Sequence, residues 1–314
     1  MRTFLVTGGA GFIGSNIAET LLERGDRVRV LDNLSTGHKS NIEPFLDHPH
    51  FEFIEGSICD AKTVAKAVAG VDTIFHEAAL ASVPRSVEAP LDTNAHCVTG
   101  TVTVLDEARK AKVRRVVYAA SSSMYGDQPF ASKREIDSPD PISPYGVAKL
   151  AGEYYCRAFY ASYGLETVCL RYFNVFGPRQ DPGSEYSAVI PLFITAMLEG
   201  RQPVVYGDGL QSRDFTFVEN VVRANLLAAD APDVAGRVFN CANGKTTDLL
   251  TLVRLLNELL GTKIEPKFDP PRVGDIRDSL ADITEARKWL EYEPPVDFET
   301  GLRRSIDYYR SILG

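Results

Sequence analysis

The 314-residue sequence has no apolar run approaching the roughly 20 residues that cross a bilayer, which excludes a helical membrane span. It also lacks a basic excess: 34 lysines and arginines face 42 aspartates and glutamates, a formal charge of -8. Nucleic acid and anionic membrane surfaces need a positive face, so neither is an expected main partner. An anionic ligand would instead be held by a few placed arginines. The five cysteines, Cys59, Cys97, Cys156, Cys169 and Cys241, are odd in number and show no CxxC spacing. Reduced thiols in a cytoplasmic protein are therefore expected. The first β-rich run starts at Thr3, with no room after Met1 for a cleavable leader, which agrees with that location. Nor do the five histidines make a metal site: His48 and His50 merely flank Pro49 in a polar loop, and His76 closes a strand.

What is present is an alternation. Short β-rich runs (Thr3 to Val6, Arg27 to Leu31, Phe51 to Ile54, Thr73 to Phe75, Arg115 to Tyr118) are separated by amphipathic helical stretches at Ile13 to Arg24, Ala61 to Ala69 and Val98 to Ala111. Repeated βα units predict an α/β fold, a doubly wound parallel Rossmann sheet with right-handed crossovers. A long helix from Tyr145 to Tyr163 and a strand from Glu166 to Arg171 extend it, after which the alternation weakens. The expected division is a cofactor domain over 1–170 plus about 214–241, and a smaller α/β C-terminal substrate domain over 171–213 plus 242–314.

The first strand runs into Thr7-Gly8-Gly9-Ala10-Gly11-Phe12-Ile13-Gly14 and then a helix. Glycines permit a tight turn and let the backbone approach a pyrophosphate at the helix N-terminus, whose amides favour negative charge. Asp32 ends the second strand, where a carboxylate can accept from adenosine ribose hydroxyls. That favours NAD over NADP, whose 2′-phosphate would meet a negative charge. Asn33 and Gly37 would continue the ribose and adenine contacts.

Ser143-Pro144-Tyr145-Gly146-Val147-Ala148-Lys149 sets Tyr145 and Lys149 four apart on one helix face. An ammonium beside a phenol stabilises the phenolate, and a bound nicotinamide cation would add to it. The expectation is an acidity lowered from about 10 towards neutrality, making Tyr145 a base. Tyr-x-x-x-Lys alone arises readily by chance in a chain with 13 tyrosines, so context must carry it. That context is Ser121-Ser122-Ser123 at the end of a β-rich run, where an open α/β sheet binds its ligands.

Together TGGAGFIG, HEAA (His76 to Ala79), SSSMYG, YGVAK, RYFNVFGPRQ (Arg171 to Gln180), SRDF (Ser212 to Phe215) and RVGD (Arg272 to Asp275) have the order and spacing of extended short-chain dehydrogenases/reductases acting on nucleotide sugars. The sequence resembles UDP-glucose and UDP-N-acetylglucosamine 4-epimerases over essentially its whole length, notably in SVPRS (Ser82 to Ser86) and Tyr186 to Pro191. That resemblance implies Tyr145 as catalytic base, Lys149 as its partner and ribose ligand, and Ser121 as the polarising hydroxyl, with Ser122 and Ser123 as further candidates. It implies cofactor contacts from Phe12, Ile13, Ala78, Ala79, Asn94 and Phe173. UDP-sugar contacts are implied for Ser82, Asn174, Val189, Tyr206, Arg213, Arg272 and Asp275, with the arginines on the diphosphate. A bulky tyrosine four residues after the RxGD aspartate excludes an N-acetyl group in that pattern; here the residue is Ser279, so acetylated and plain UDP-hexoses are both expected. Ser57, followed by Ile58, stands where an adenine-binding aspartate is usual, which implies weaker or backbone-only contact there, and Glu77 is unusual beside an anionic cofactor.

The implied reaction is redox-neutral epimerisation at C4′ through a 4-keto sugar, in a homodimer built on the Tyr145 helix and the one before it. A 4,6-dehydratase would need an acidic pair after the catalytic hydroxyl, and Ser121 to Met124 has none. UDP-glucuronate 4-epimerisation or decarboxylation is the nearer rival. A non-catalytic NAD-sensing protein would not need Tyr145, Lys149 and Ser121 together.

Overall fold

The computed structural model describes residues 1–128, 132–183, 188–271 and 276–313. Arg272, Asp275, Tyr186 and Ser187 lie outside the described residues.

Along the chain, β1 (Thr3–Thr7) leads to α1 (Phe12–Glu23), β2 (Arg27–Asp32), β3 (Phe51–Glu55), α2 (Ala61–Val68) and β4 (Thr73–His76). Short α3 (Val83–Glu88) and α4 (Pro90–Asn94) precede α5 (Gly100–Lys110), β5 (Arg115–Ser121), α6 (Pro144–Tyr163) and β6 (Glu166–Tyr172). Then come β7 (Val175–Phe176), α7 (Val189–Leu198), β8 (Val204–Tyr206), β9 (Ser212–Arg213), β10 (Thr216–Phe217), α8 (Val218–Asp230) and β11 (Arg237–Cys241). The chain closes with β12 (Thr247–Asp248), α9 (Leu249–Leu260), β13 (Lys267–Asp269), β14 (Asp278–Ser279), α10 (Thr284–Leu290) and α11 (Phe298–Leu313).

Seven strands form one parallel sheet in the order β11-β6-β5-β4-β1-β2-β3. The strands are apolar on both faces because helices cover both. Phe4, Val6 and Phe75 pack with Ile17 of α1 and Val221 of α8, whereas Leu5 and Ile74 pack with Val64 of α2, Leu105 of α5 and Phe159 of α6. This is the doubly wound α/β architecture that the alternation predicts.

The order of strands reverses between β1 and β4, and there the carboxyl ends of neighbouring strands diverge to open a crevice. A second core, with Phe193, Ile194, Leu252, Leu256, Leu302 and Ile306, joins α7, α9 and α11. Three small sheets accompany it: β10 with β7, β13 with β8, and β9 between β12 and β14.

One element differs from the amphipathic pattern. The helix expected from Val98 begins earlier, as α4, and reaches α5 through a π-helical turn at Ala95–Thr99. A π turn inserts one extra residue per turn and re-aims the side chains that follow. It packs against α6, which carries Tyr145.

Candidate active site

The turn after β1 is built by close backbone approach. Gly8 has φ +69°, and a Cβ there would fall 2.7 Å from the Ala78 backbone. A Cβ on Gly14 would fall 2.3 Å from the Gly8 carbonyl oxygen. Only glycines let this loop lie against both the β4 exit and the first turn of α1. The N-terminus of α1 has no side-chain cap and no acidic residue in its first turn, so its free amides suit an anion.

A cleft of about 260 Å³ opens above this turn. It brings together Gly8, Gly11, Phe12, Ile13, Gly14, Asp32, Asn33, Gly37, Ile58, Ala78 and Ala79, all of them expected from the sequence. Glycine-framed amides at one point and a carboxylate at the end of the second strand fit a dinucleotide. Asp32 is committed at both oxygens, Oδ2 accepting from the Ala10 amide at 2.9 Å and Oδ1 from Leu34 at 2.8 Å. Burial pushes the pKa of its carboxyl up and these two amides oppose the rise. Ser57 is turned away from the cleft lining into its own loop, where its Oγ accepts from the Cys59 amide at 3.1 Å. Asn94 is exposed at the end of α4, and Phe173 is fully buried beneath the site against Tyr125.

The sequence did not single out Leu31, Ser35, Thr36, Gly56, Leu80, Ala81 or His96, which also line the cleft. Glu77 lines it too. Its Oε1 accepts from Tyr172 Oη at 2.8 Å, and that same oxygen of Tyr172 accepts from Asn225 at 2.7 Å. Burial pushes the Glu77 carboxyl up to about 7, opposed by the Tyr172 hydrogen bond and the Lys149 charge.

Beyond the cleft, α6 starts at Ser143, whose Oγ caps the Gly146 amide at 3.1 Å. Four residues apart on that helix, the Lys149 ammonium stands 6.0 Å from the Tyr145 ring centre. Lys149 is 4 % exposed, donates to the Ala119 carbonyl at 2.7 Å and lies 5.1 Å from the Tyr118 ring centre. Tyr118 fits there because α6 has Gly152, where a Cβ would fall 2.2 Å from the Tyr118 hydroxyl. Ser121 lies beside Tyr145 and favours the ionised phenol. Ser121 Oγ in turn accepts from the Ser123 amide at 3.2 Å and the Ser123 hydroxyl at 2.8 Å.

Without a bound cofactor, the surroundings of the phenol oppose its ionisation. Burial raises the Tyr145 phenol above its ordinary range; Cys97 and Glu77 add to the rise, and only Ser121 opposes it. Lys149 is itself disfavoured as a cation by burial, and its ammonium points at Ala119 instead of the phenol oxygen. A phenolate at neutral pH therefore needs a further positive charge.

Two of the remaining candidates share the three-stranded sheet of β12, β9 and β14. Ser279 on β14 pairs in register with Arg213 on β9, and the Asp214 amide donates to the Ser279 carbonyl at 2.7 Å. Ser279 is 8 % exposed. Asp214 ties the junction together by accepting from the Asn243, Gly244 and Ala281 amides at 2.9, 3.0 and 3.3 Å. Asn174 has φ +32°, and its side chain reaches the Asp214 carbonyl at 3.5 Å. Val189 opens α7, Tyr206 closes β8, and Ser82 caps α3 by accepting from Arg85. Ser122 follows Ser121 in the turn that ends β5.

His76 is structural. It lies between Thr7 and Thr101 at 2.7 and 3.0 Å, and since Thr101 donates to the Cys97 carbonyl, it receives the Nε2 proton of the ring. No metal-binding cluster occurs among the described residues.

Residues 4–242 match the model of the NAD dependent epimerase/dehydratase family. The UDP-glucose 4-epimerase of Mycolicibacterium smegmatis is 39% identical over 313 residues, covering 99% of both chains. Among solved structures, the UDP-N-acetylglucosamine 4-epimerase of Methanobrevibacter ruminantium, in complex with UDP-N-acetylmuramic acid, is 39% identical with a TM-score of 0.95 over 99% of each chain. The UDP-glucose 4-epimerase of Thermotoga maritima, with UDP-glucose, is 38% identical with a TM-score of 0.94 over 99% of this chain and 100% of that one. The chain therefore belongs to the NAD dependent epimerase/dehydratase family and is an NAD-dependent enzyme.

Proposed function

We propose that the protein interconverts UDP-hexoses at C4′, accepting UDP-glucose and UDP-galactose and also UDP-GlcNAc and UDP-GalNAc. The observation that carries the reading is the placement of Ser121 beside Tyr145 with Lys149 one helical turn away, at the carboxyl end of a sheet whose crevice fits the cofactor. NAD, when bound, supplies a reversible hydride acceptor for C4′ and a positive ring beside the phenol. That ring is the charge that a buried Tyr145 needs to become a base.

Tyr145 then takes the proton of the 4′-hydroxyl, and Ser121 holds the same oxygen as it becomes a carbonyl. Lys149 steadies the phenolate and holds the cofactor ribose. Ser122 and Ser123 back Ser121. Arg213, Arg272 and Asp275 hold the nucleotide diphosphate and sugar, together with Ser82, Asn174, Val189 and Tyr206. The 4-keto sugar turns about its diphosphate bonds before reduction, so that C4′ is inverted. In this reading residues 1–170 and about 214–241 form the cofactor unit, and the remainder forms the UDP-sugar unit. The small side chain of Ser279 leaves room for a 2′-N-acetyl group.

We read the protein as cytoplasmic and as a homodimer through α5 and α6; the exposure of Tyr154, Tyr155, Tyr160 and Tyr163 on α6 supports the second point. Sedimentation at micromolar concentration tests it. For the activity, the protein is incubated separately with UDP-Glc and UDP-GlcNAc and the anomeric protons are followed by NMR. Galacto epimers from both sugars support the reading. Conversion of UDP-Glc alone would refute the open pocket at Ser279, and conversion of UDP-glucuronate alone would replace the substrate class.

A further inference from the structure

The buried groups around Tyr145 carry unequal charge unless Glu77 is included. Lys149 is a buried ammonium, and the family's cofactor adds a positive ring in the adjoining cleft. Two carboxylates line that cleft, Asp32 and Glu77. Asp32 lies at the β2 end with both oxygens taken by backbone amides. Glu77 leaves β4 on the Lys149 side, held at one oxygen by Tyr172, which Asn225 of α8 holds in turn. The titratable groups that face Glu77 are Lys149 and Tyr145 of α6, Tyr172 of β6 and Cys241 of β11. Lys149 is the one cation among them.

We infer that Glu77, when ionised, is the counter-charge of the buried Lys149 ammonium, and that through this balance it sets the preference of the site for oxidised over reduced cofactor. The inference rests on the cofactor orientation proposed above. With Glu77 ionised, its charge cancels that of Lys149, and the positive ring and the Tyr145 phenolate cancel each other. When the hydride leaves C4′ and the 4′-hydroxyl proton goes to Tyr145, ring and phenol both become neutral, and the set again sums to zero. Without the Glu77 charge the set is positive by one at both stages, which penalises the cationic ring and favours the phenolate. Glu77 is thus a positioning residue for charge, and it trades some basicity of Tyr145 for retention of oxidised cofactor.

The test uses Glu77→Gln, which keeps the shape and can still accept from Tyr172. Binding of NAD and of NADH is measured directly by calorimetry, and the pH profile of epimerisation is recorded alongside. The variant should shift the NAD:NADH affinity ratio towards NADH by about tenfold or more, and should move the acidic limb of the profile to lower pH. Tyr172→Phe removes the donor that stabilises the Glu77 charge and should shift the same ratio in the same direction by less, which carries the test if the first variant does not fold. An unchanged ratio with an unmoved acidic limb would overturn the inference while leaving the cofactor site intact. If the wild-type protein binds neither nucleotide, the cofactor orientation fails and this inference with it.

Discussion

Ser86 Oγ accepts the backbone amide of Tyr145 at 3.1 Å, across the boundary between α3 and α6 and 59 residues away in sequence. Ser86 is completely buried and donates its own proton to the Val83 carbonyl at 2.6 Å. The contact fixes the height of the first turn of α6, and with it the phenol that the proposed chemistry depends on.

Replacing Ser86 by alanine should therefore cost about 1–2 kcal/mol in stability, because a buried amide loses its partner. It should lower kcat about tenfold with little change in KM, since orientation rather than substrate binding is lost. Steady-state kinetics alongside thermal unfolding measures both; a loss confined to KM would contradict the positioning role.

Gly152→Ala puts a methyl group where Tyr118 Oη now lies, 2.2 Å from the new Cβ. Tyr118 must move, and it underlies the Lys149 ammonium. The expected cost is about 1–3 kcal/mol of stability, as for overpacking elsewhere, with activity reduced through Lys149. Chemical denaturation measures the first effect, and an unchanged midpoint would contradict the tight fit.

How much of this was legible in sequence depends on distance along the chain. The strands, the glycine turn and Asp32 are local patterns, and the cleft gathers nearly every residue read from them. The burial of Tyr145 was not legible, because four-residue spacing gives a shared helix face but not its depth, and burial dominates the phenol when no cofactor is bound. The Ser86 contact, the Tyr172 bridge to Glu77 and the hydrogen bond of Asn225 link residues 59, 95 and 53 positions apart. No periodicity marks them. The π turn at Ala95–Thr99 was equally hidden, since its sequence keeps an ordinary helical pattern.

Arg171 and Glu153 form a buried bidentate pair at 3.0 and 2.7 Å, and Arg171 also donates to Tyr125 at 2.7 Å. Glu153→Ala should destabilise the protein by about 3–5 kcal/mol, because it strands a buried guanidinium. The double variant Glu153→Leu, Arg171→Met should recover much of that loss. Failure of the double variant to improve on the single one would show that the Tyr125 contact matters more than the unpaired charge.

The His76 ring is pushed down to about 3 by burial and by the Lys149 charge. In the unfolded chain an ordinary histidine takes up a proton near pH 6.5, which the folded ring refuses, so this contribution is complete above that range and is lost as pH falls towards 3. Glu77 and Asp214, both raised to about 7 by burial, act in the opposite sense: they favour the folded state at low pH and cease to do so as pH rises through about 7. His76→Gln should be less stable than wild type at neutral pH but lose less stability between about pH 6.5 and 5. Thermal midpoints across that range decide it, and parallel curves would contradict the assignment.

The most direct test of the central claim follows the hydrogen at C4′. UDP-glucose carrying deuterium at C4′ is incubated with the protein, without added reductant, and the product is examined by NMR. A redox-neutral epimerisation based on Tyr145 predicts UDP-galactose that keeps its deuterium at C4′, and no product with Tyr145→Phe. Epimer that has exchanged its deuterium for solvent hydrogen, or undiminished conversion by Tyr145→Phe, would contradict it.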